Sequence, residues 1–311
     1  MVSFRPDRPS TWSRARRRGI LARLVRAVRG DSADTELLAL DEVQRRLAAY
    51  QESYLGVRSI PVAQIIGTVD RSGSFDKDFL PSAEWMRPRW QQVEQAFPSG
   101  GFPAISVYQV GDAYFVSDGH HRVAIARQQG IEFIDAEIKV VHTPYDLPAD
   151  VDVADLIHME QARMFMEYSG LARARPEAVI EFSRPESYMA MLRHMMAYGY
   201  LQMQQQGRLL RPEEVAIDWY DNHYLPALDD IHAEGVHEVF PWATDGDLFL
   251  GVHERRFGMF AGHGASPPPV RQVAREAKET EHPKKPSRRR LRSISRRRTL
   301  PFRKRRQTGG G

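Results

Sequence analysis

The chain has 311 residues, 42% of them hydrophobic, which is enough material for one or two globular cores. It contains no cysteine, so disulfides, thiolate nucleophiles and cysteine-based zinc sites are excluded. No apolar run approaches the roughly 18 residues of a membrane-spanning helix, and the arginine-rich start lacks the apolar core of a secretory signal. We therefore expect a cytoplasmic protein.

The formal net charge of +4 conceals a strong segregation of charge along the chain. Residues 1–30 contain nine arginines and one aspartate, and residues 264–311 contain sixteen basic and three acidic side chains. The middle, residues 31–263, contains 19 basic and 36 acidic side chains. Like-charge repulsion opposes docking of this middle part on nucleic acid, so we expect nonspecific nucleic acid or an anionic membrane surface to contact only the two ends.

The first two segments are predicted to be helical. Residues 1–30 form a basic amphipathic arm, because Ile20, Leu21 and Leu24 recur at helical spacing among arginines. The arm is interpreted as solvated and loosely packed, and the alternative is attachment to an anionic surface. Residues 31–58 form a helical lead-in, with one helix from about Thr35 to Gln51.

Residues 59–142 show the alternation expected of a small mixed α/β domain. Strands are predicted at these apolar runs: Ile60–Val62, Ile65–Val69, Ala104–Val110, Ala113–Val116 and Phe133–Val141. Gly111-Asp112 predicts a hairpin, and two helices are predicted over 88–97 and 120–129, the second ended by Gly130.

After residue 142 the strand signals stop. Residues 143–263 are predicted to form a helical domain, with helices over 153–168, 186–206, 212–235 and 246–256. Residues 264–311 are predicted to be a disordered arginine-rich tail, because they have too few apolar residues for a core. The predicted fold class is α+β, a small mixed-sheet domain followed by an all-helical region.

The run Ser117-Asp118-Gly119-His120-His121-Arg122 is the strongest candidate site, because it joins an apolar strand to an apolar helix. The first turn of a helix favours a phosphate group. Gly119 lets a phosphate approach the backbone, and His120, His121 and Arg122 add side-chain donors. Asp118 is a candidate catalytic residue, as a Mg²⁺ ligand or as the carboxylate that orients a substrate hydroxyl. The alternative is that Ser117 or Asp118 only caps the helix while the histidines are packed or solvated.

Other candidates carry weaker signals. Asp70 and Asp76 lie in loop-like segments and are the further candidate catalytic carboxylates, with ordinary solvated loops as the alternative. The remaining histidines, including His194 and His223, show no spacing that compels a metal site. A stripe of methionine and aromatic residues from Met189 to Met203 is interpreted as helix packing.

The stretch from Ile60 to about Val141 resembles the ParB N-terminal and sulfiredoxin-like superfamily. The matching pieces are Ile65–Val69, Phe75-Asp76 with Phe79-Leu80-Pro81, Arg89-Trp90 and Tyr114–Val123. The form of the turn is most similar to that of the archaeal free serine kinases in this superfamily. The resemblance implies the phosphates of a nucleotide at Gly119, His120, His121 and Arg122, with Asp118 near the reacting hydroxyl.

The chain departs from other members of that superfamily in two ways. Sulfiredoxin chemistry needs a cysteine in the turn, and position 120 is histidine in a chain without cysteine. Chromosome-partition ParB has an arginine-rich turn followed by a helix-turn-helix, which we do not identify in this sequence. Ile217–Pro226 with Phe240–Leu248 looks like a helical extension that follows such domains in bacterial proteins, where Trp219 and Tyr224 would form the core.

These features favour a nucleotide-binding protein, either an ATP- or CTP-dependent phosphotransferase or an NTPase. The alternative from another class is a ParB-like DNA-associated partition or transcription factor, and a third is a scaffold that uses the nucleotide as a switch. A nucleotide is the expected partner, and the oligomeric state is left open, with a homodimer as one alternative.

Overall fold

The computed structural model describes residues 11–29, 37–70, 73–96, 102–145, 147–260 and 267–280. These residues divide into two compact units, one that ends at Leu156 and one that begins at Ile157. The first unit contains a mixed sheet with helices, and the second is helical. The predicted change from a mixed-sheet domain to a helical region is therefore confirmed at this level.

Among the described residues of the first unit, six strands form one mixed sheet in the order β1-β3-β5-β4-β6-β2. Their bounds are β1 Leu38–Ala39, β2 Gln51–Pro61, β3 Ile65–Thr68, β4 Ile105–Val110, β5 Ala113–Asp118 and β6 Phe133–His142. The pairs β1–β3, β3–β5 and β4–β6 are parallel, and β4–β5 and β2–β6 are antiparallel. Strand β5 is therefore central, with hydrogen-bonded neighbours on both sides.

Four helices accompany this sheet in the described residues: α1 Trp12–Arg29, α2 Leu40–Arg46, α3 Arg87–Ala96 and α4 His120–Gln129. The predicted hairpin at Gly111-Asp112 is confirmed, since Val110 pairs with Ala113 and Gly111 has φ +57°. The predicted end of α4 is also confirmed, because Gly130 takes the left-handed conformation with φ +70°.

The beginning of α1 belongs to the core, which corrects the interpretation of a loosely packed arm. Trp12 is 3% exposed and packs edge-on against Trp90 of α3, with ring centroids 5.6 Å apart. Nε1 of Trp90 donates a hydrogen bond to Oγ1 of Thr11 at 3.2 Å. Farther along the helix Ile20 and Leu21 are exposed. The tryptophan pair therefore anchors the helix at its first turn.

The predicted helical lead-in of residues 31–58 is confirmed only over α2, because strand β1 (Leu38–Ala39) comes directly before this helix and strand β2 follows it. Helix α2 ends at Arg46, and β2 begins at Gln51 and pairs with β6 from Gln51↔His142 to Pro61↔Phe133. Strand β2 lies at the edge of the sheet, and its residues from Gln51 to Ser59 are almost all exposed. With neither face buried, the strand lacks the alternation of apolar and polar residues that marks a strand in a sequence.

The second unit is built of helices, and no strand occurs in its described residues. Their bounds are α5 Val153–Tyr168 (which begins before the division), α6 Leu171–Ala174, α7 Glu186–Gln206, α8 Pro212–Trp219, α9 Leu225–Ala233, α10 Val236–Val239, α11 Asp245–Phe260 and α12 Val270–Thr280. The expected core positions Trp219 and Tyr224 are buried. None of the helices in the described ranges is long and apolar enough to cross a membrane.

The predicted long helix over residues 212–235 is confirmed as a continuous helical run from Pro212 to Ala233 with one irregularity. A π-helical turn, Tyr220–Tyr224, separates α8 from α9. Proline lacks an N–H and its ring clashes with the preceding turn of an α-helix, and Pro226 follows the π-turn within the first positions of α9. The wider turn thus lets the chain continue as a helix past Pro226, and it carries His223.

The predicted disordered tail, residues 264–311, is wrong where the structure describes it. Residues 270–280 form α12, with Val273, Ala274 and Ala277 buried. The three residues recur at helical spacing, so the sequence does contain the periodicity of an amphipathic helix. The prediction of disorder followed from the charged composition of residues 264–311 as a whole. Residues 281–311, with the arginine runs, lie outside the described residues.

Candidate functional site

The candidate site lies where β5 meets α4. The side chains of Phe115 and Val116 are fully buried, which holds β5 in the centre of the sheet. Asp118 ends the strand, Gly119 turns the chain and His120 begins α4. The strand, turn and helix predicted from the sequence are therefore present, and the turn is supported from both sides by buried elements.

Gly119 is required for two reasons that differ from the one expected. Its φ of +106° is strained for any residue with a side chain. A Cβ at this position would also lie 2.4 Å from Cγ2 of Ile105 on β4. The missing side chain therefore makes room for the sheet, and the glycine is needed for the turn whether or not a phosphate approaches it.

The two histidine side chains are buried. His120 is 3% exposed, its Nε2 hydrogen-bonds with Oγ1 of Thr68 at 2.7 Å, and its ring stacks on Phe75 with centroids 5.9 Å apart. His121 is 8% exposed and meets the edge of the Phe75 ring at 5.3 Å. Both residues still line the cleft described below, so they form part of its wall although their side chains are mostly buried.

Arg122 is held in place by the residues around the turn. Its Nη1 donates hydrogen bonds to the carbonyl oxygens of Pro103 and Ala104, at 2.8 and 2.7 Å. Its Nη2 forms an ion pair with the carboxylate of Asp118. Asp118 is exposed, whereas the guanidinium of Arg122 is largely covered. The arginine thus ties the start of α4 to the segment before β4, and it shares the acid predicted to hold Mg²⁺.

A cleft of about 110 Å³ opens at this turn. Its lining combines the five residues Asp118–Arg122 with Arg89 and Val93 of α3. Arg89 is exposed, and its Nη1 donates to Oε1 of Gln92 at 2.8 Å. The structure therefore brings a second arginine to the predicted turn from a helix some thirty positions earlier. In the sequence, Arg89 belongs to the resemblance to the superfamily, but no local pattern connects it with the turn.

The structure does not bring Asp76 or Asp70 into this cleft. Asp76 is 4% exposed, and its Oδ1 accepts backbone hydrogen bonds from Asp78 and Leu80 at 3.1 and 2.8 Å. These bonds close a tight turn in which Phe79 has φ +56°. Asp70 is exposed just after β3. The geometry gives Asp76 a structural part in the turn next to Phe75, which in turn contacts both histidines.

The chain was compared with known proteins at three levels. No protein-family model, no curated protein and no solved structure matches it. The resemblance to the ParB and sulfiredoxin-like superfamily therefore depends on the residues of the turn and its surroundings alone.

Proposed function

We propose that this chain binds the phosphates of a nucleotide, ATP or CTP together with Mg²⁺, at the turn Asp118–Arg122. The observation that carries the proposal is the cleft in which the start of α4 meets two arginines from different elements. A helix N-terminus and guanidinium groups are the two features that proteins most often combine to hold a phosphate.

The sequence pattern supports the same proposal. The turn resembles that of the free serine kinases in the ParB and sulfiredoxin-like superfamily, and it joins a strand to a helix as that resemblance implies. In the version that transfers the phosphoryl group, Mg²⁺ would neutralise the phosphate charge, and Asp118 would accept the proton of a hydroxyl substrate. Binding is the part of the proposal that the cleft supports directly.

The two arginines are expected to have different parts. Arg122 already bonds two carbonyl groups and Asp118, so its guanidinium stabilises the turn itself. Arg89 bonds only a neutral side chain on its own helix among the contacts described, and its charge is exposed at the cleft. We therefore expect Arg89 to make the larger contribution to phosphate affinity. For Asp118 to hold Mg²⁺, its carboxylate must be shared with Arg122 or released by it.

The experiment is a calorimetric titration of the purified full chain with ATP and with CTP, with and without Mg²⁺. Loss of one charged hydrogen bond to a phosphate costs about 1.5–3 kcal/mol, so Arg89→Ala should weaken binding roughly 10- to 100-fold. Arg87→Ala is the matched control, because Arg87 lies on the same helix, pairs with Glu84 and does not line the cleft.

Two results would overturn the proposal. One is the absence of nucleotide binding by the wild-type chain. The other is an affinity that is unchanged in both Arg89→Ala and Arg122→Ala while circular dichroism shows that each variant is folded.

A further inference from the structure

Three histidines of the second unit lie together although each is about thirty residues from the next. His194 belongs to α7, His223 to the π-helical turn and His253 to α11. Their ring centroids are 5.4 Å (His194 to His223), 5.0 Å (His194 to His253) and 5.1 Å (His223 to His253) apart. One ring nitrogen from each lies within 4.8 Å of the others. The fold thus gathers three metal-ligand side chains that sequence spacing did not connect.

The spacing of the rings is that of three imidazoles around a single ion. With metal–nitrogen distances near 2.0 Å and tetrahedral angles, three ring centroids lie roughly 5 Å apart, and the ligand nitrogens roughly 3.3 Å apart. The observed centroid separations of 5.0–5.4 Å match the expected separation of roughly 5 Å. The ligand nitrogens now lie within 4.8 Å of one another, and rotation of the rings would bring them to the roughly 3.3 Å expected around an ion.

His253 is oriented as a metal ligand usually is. Its Nδ1 lies 3.0 Å from the carbonyl oxygen of Phe249, and because a carbonyl only accepts, Nδ1 carries the proton. The lone pair is then on Nε2, which is buried without a hydrogen-bond partner among the described residues. Nε2 of His223 is also buried without a hydrogen-bond partner among the described residues. Buried polar atoms are rarely left without a partner, and a metal ion bound to both nitrogens would supply one.

His194 must give up a hydrogen bond when it binds a metal ion. Its Nδ1 accepts a hydrogen bond from Nε1 of Trp219 at 3.3 Å. A neutral imidazole that binds a metal through one nitrogen keeps its proton on the other, so Nδ1 could not continue to accept from Trp219. Metal binding should therefore change the surroundings of the buried Trp219, which provides an optical signal.

The charge state of the cluster suits metal binding. Burial, followed by the neighbouring histidines and Arg256, lowers the pKa of His194 to about 4 and that of His253 to about 3. Burial and Arg256 also lower the pKa of His223, and Asp218 opposes this shift. Ligand histidines must be neutral, and all three pKa shifts favour the neutral form of the imidazole. The positive charge of Arg256 opposes cation binding, and the hydrogen bond from its Nε to the carbonyl oxygen of Pro268 at 2.7 Å leaves that charge unchanged.

The cluster opens on a cavity of about 610 Å³ with a mainly apolar lining that includes Leu201, Leu250 and Phe257. We propose that His194, His223 and His253 bind one divalent transition-metal ion of the zinc type, with a fourth position open to this cavity. Three protein ligands and one open position are typical of sites where the metal also binds water or a small anion. The proposal is independent of the nucleotide site.

The test uses the full-length chain, freed of metal with a chelator and titrated with Zn²⁺ and Co²⁺. We expect one ion per chain, the intense visible absorption of four-coordinate Co²⁺, and a change in tryptophan fluorescence. His223→Phe keeps a ring against His194 and removes one ligand, and it should weaken Zn²⁺ binding by at least roughly 100-fold, since even supporting residues of such sites contribute 10- to 100-fold. His237→Phe, at an exposed position of α10, is the matched control and should bind as wild type does.

The proposal is overturned if the wild-type chain binds no Zn²⁺, if bound Co²⁺ shows only the weak absorption of six-coordinate ions, or if folded His223→Phe binds Zn²⁺ with unchanged affinity. If His223→Phe does not fold, His194→Asn supplies the same comparison. Whichever variant is used, the Co²⁺ absorption of the wild-type chain is enough by itself to support or overturn the proposed site.

Discussion

At the scale of single residues, the turn between β5 and α4 depends on Gly119 in two separable ways. The backbone needs a positive φ, and the sheet needs the space that a Cβ would occupy next to Ile105. Gly130, at the other end of α4, has φ +70° and open space around the position of a Cβ. A comparison of the two glycines that flank α4 therefore distinguishes the cost of a positive φ from the cost of a steric clash.

We expect Gly119→Ala to destabilise the protein more than Gly130→Ala. Both changes place a side chain at positive φ, which costs about 1 kcal/mol or more, and only the first also overpacks the sheet, which adds about 1–3 kcal/mol. Chemical denaturation of the two variants measures the difference. Equal losses of stability would mean that Ile105 moves aside at no cost in free energy. In that case only the positive φ would require a glycine at position 119.

The histidines show how residue-level roles depend on surroundings. His120 and His121 were predicted as donors to a phosphate, yet their rings are buried against Phe75, and His120 bonds Thr68. His194 and His223 carried no signal in the sequence, yet they lie beside His253. A histidine has the same side chain in a core, a phosphate site and a metal site, so the sequence alone does not separate these roles.

At the scale of elements, α12 shows how ion pairs and small buried side chains hold a helix that sequence analysis assigned to a tail. Arg271 and Arg275 donate to the two carboxylate oxygens of Glu234 at 2.7 and 3.0 Å. These hydrogen bonds lower the pKa of Glu234 to about 2. Ala274, which lies between the two arginines in the chain, is fully buried. Ion pairs and close packing therefore both hold the helix in place.

The packing of α12 can be tested with Ala274→Asp. A carboxylate placed at a fully buried position should cost about 3 kcal/mol or more, because it is desolvated without a partner. Thermal unfolding measures the loss, and trypsin should then cleave at Arg271 or Arg275, where we expect the helical backbone to slow cleavage of the wild-type chain. Gln272→Asp, on the exposed side of the same helix, is the control and should leave both measurements nearly unchanged. Rapid cleavage of the wild-type chain at these arginines would contradict the packed helix.

At the scale of the whole molecule, charge is divided between basic ends and an acidic middle. The described part of the basic N-terminal segment is anchored in the core by Trp12, while Arg17 and Arg18 on the same helix are exposed. Deleting residues 1–30 would therefore damage the fold along with the charge. Substitution of exposed arginines separates the two effects.

We expect the full chain to bind double-stranded DNA without sequence preference and with a steep dependence on salt, because the basic ends displace counterions from phosphates. Replacing Arg17 and Arg18 by glutamine should weaken this binding and lower the slope of log affinity against log salt by about 1–2. The same change at Arg208 and Arg211, which pair with Glu214, removes equal charge from the other unit and should have little effect. Binding to one defined sequence that persists at high salt would instead favour the partition-factor alternative.

Much of this architecture could be predicted from local patterns. The hairpin at Gly111, the start and end of α4, and the bounds of α5 and α7 all follow from apolar periodicity and from glycines at positions that need positive φ. Strand β2 and helix α12 were missed for different reasons. The first buries neither face, and the second is a short amphipathic stretch inside a segment whose overall composition is strongly basic.

The sequence by itself determined that a polar turn joins a buried strand to a helix, because strand, turn and helix are adjacent in the chain and their signals are local. Only the tertiary structure decided which side chains surround that turn and which histidines meet. Arg89 reaches the cleft from α3, and His194, His223 and His253 converge from three elements. Such contacts join residues about thirty or more positions apart, and their distances are set by how whole elements pack, which no local spacing encodes.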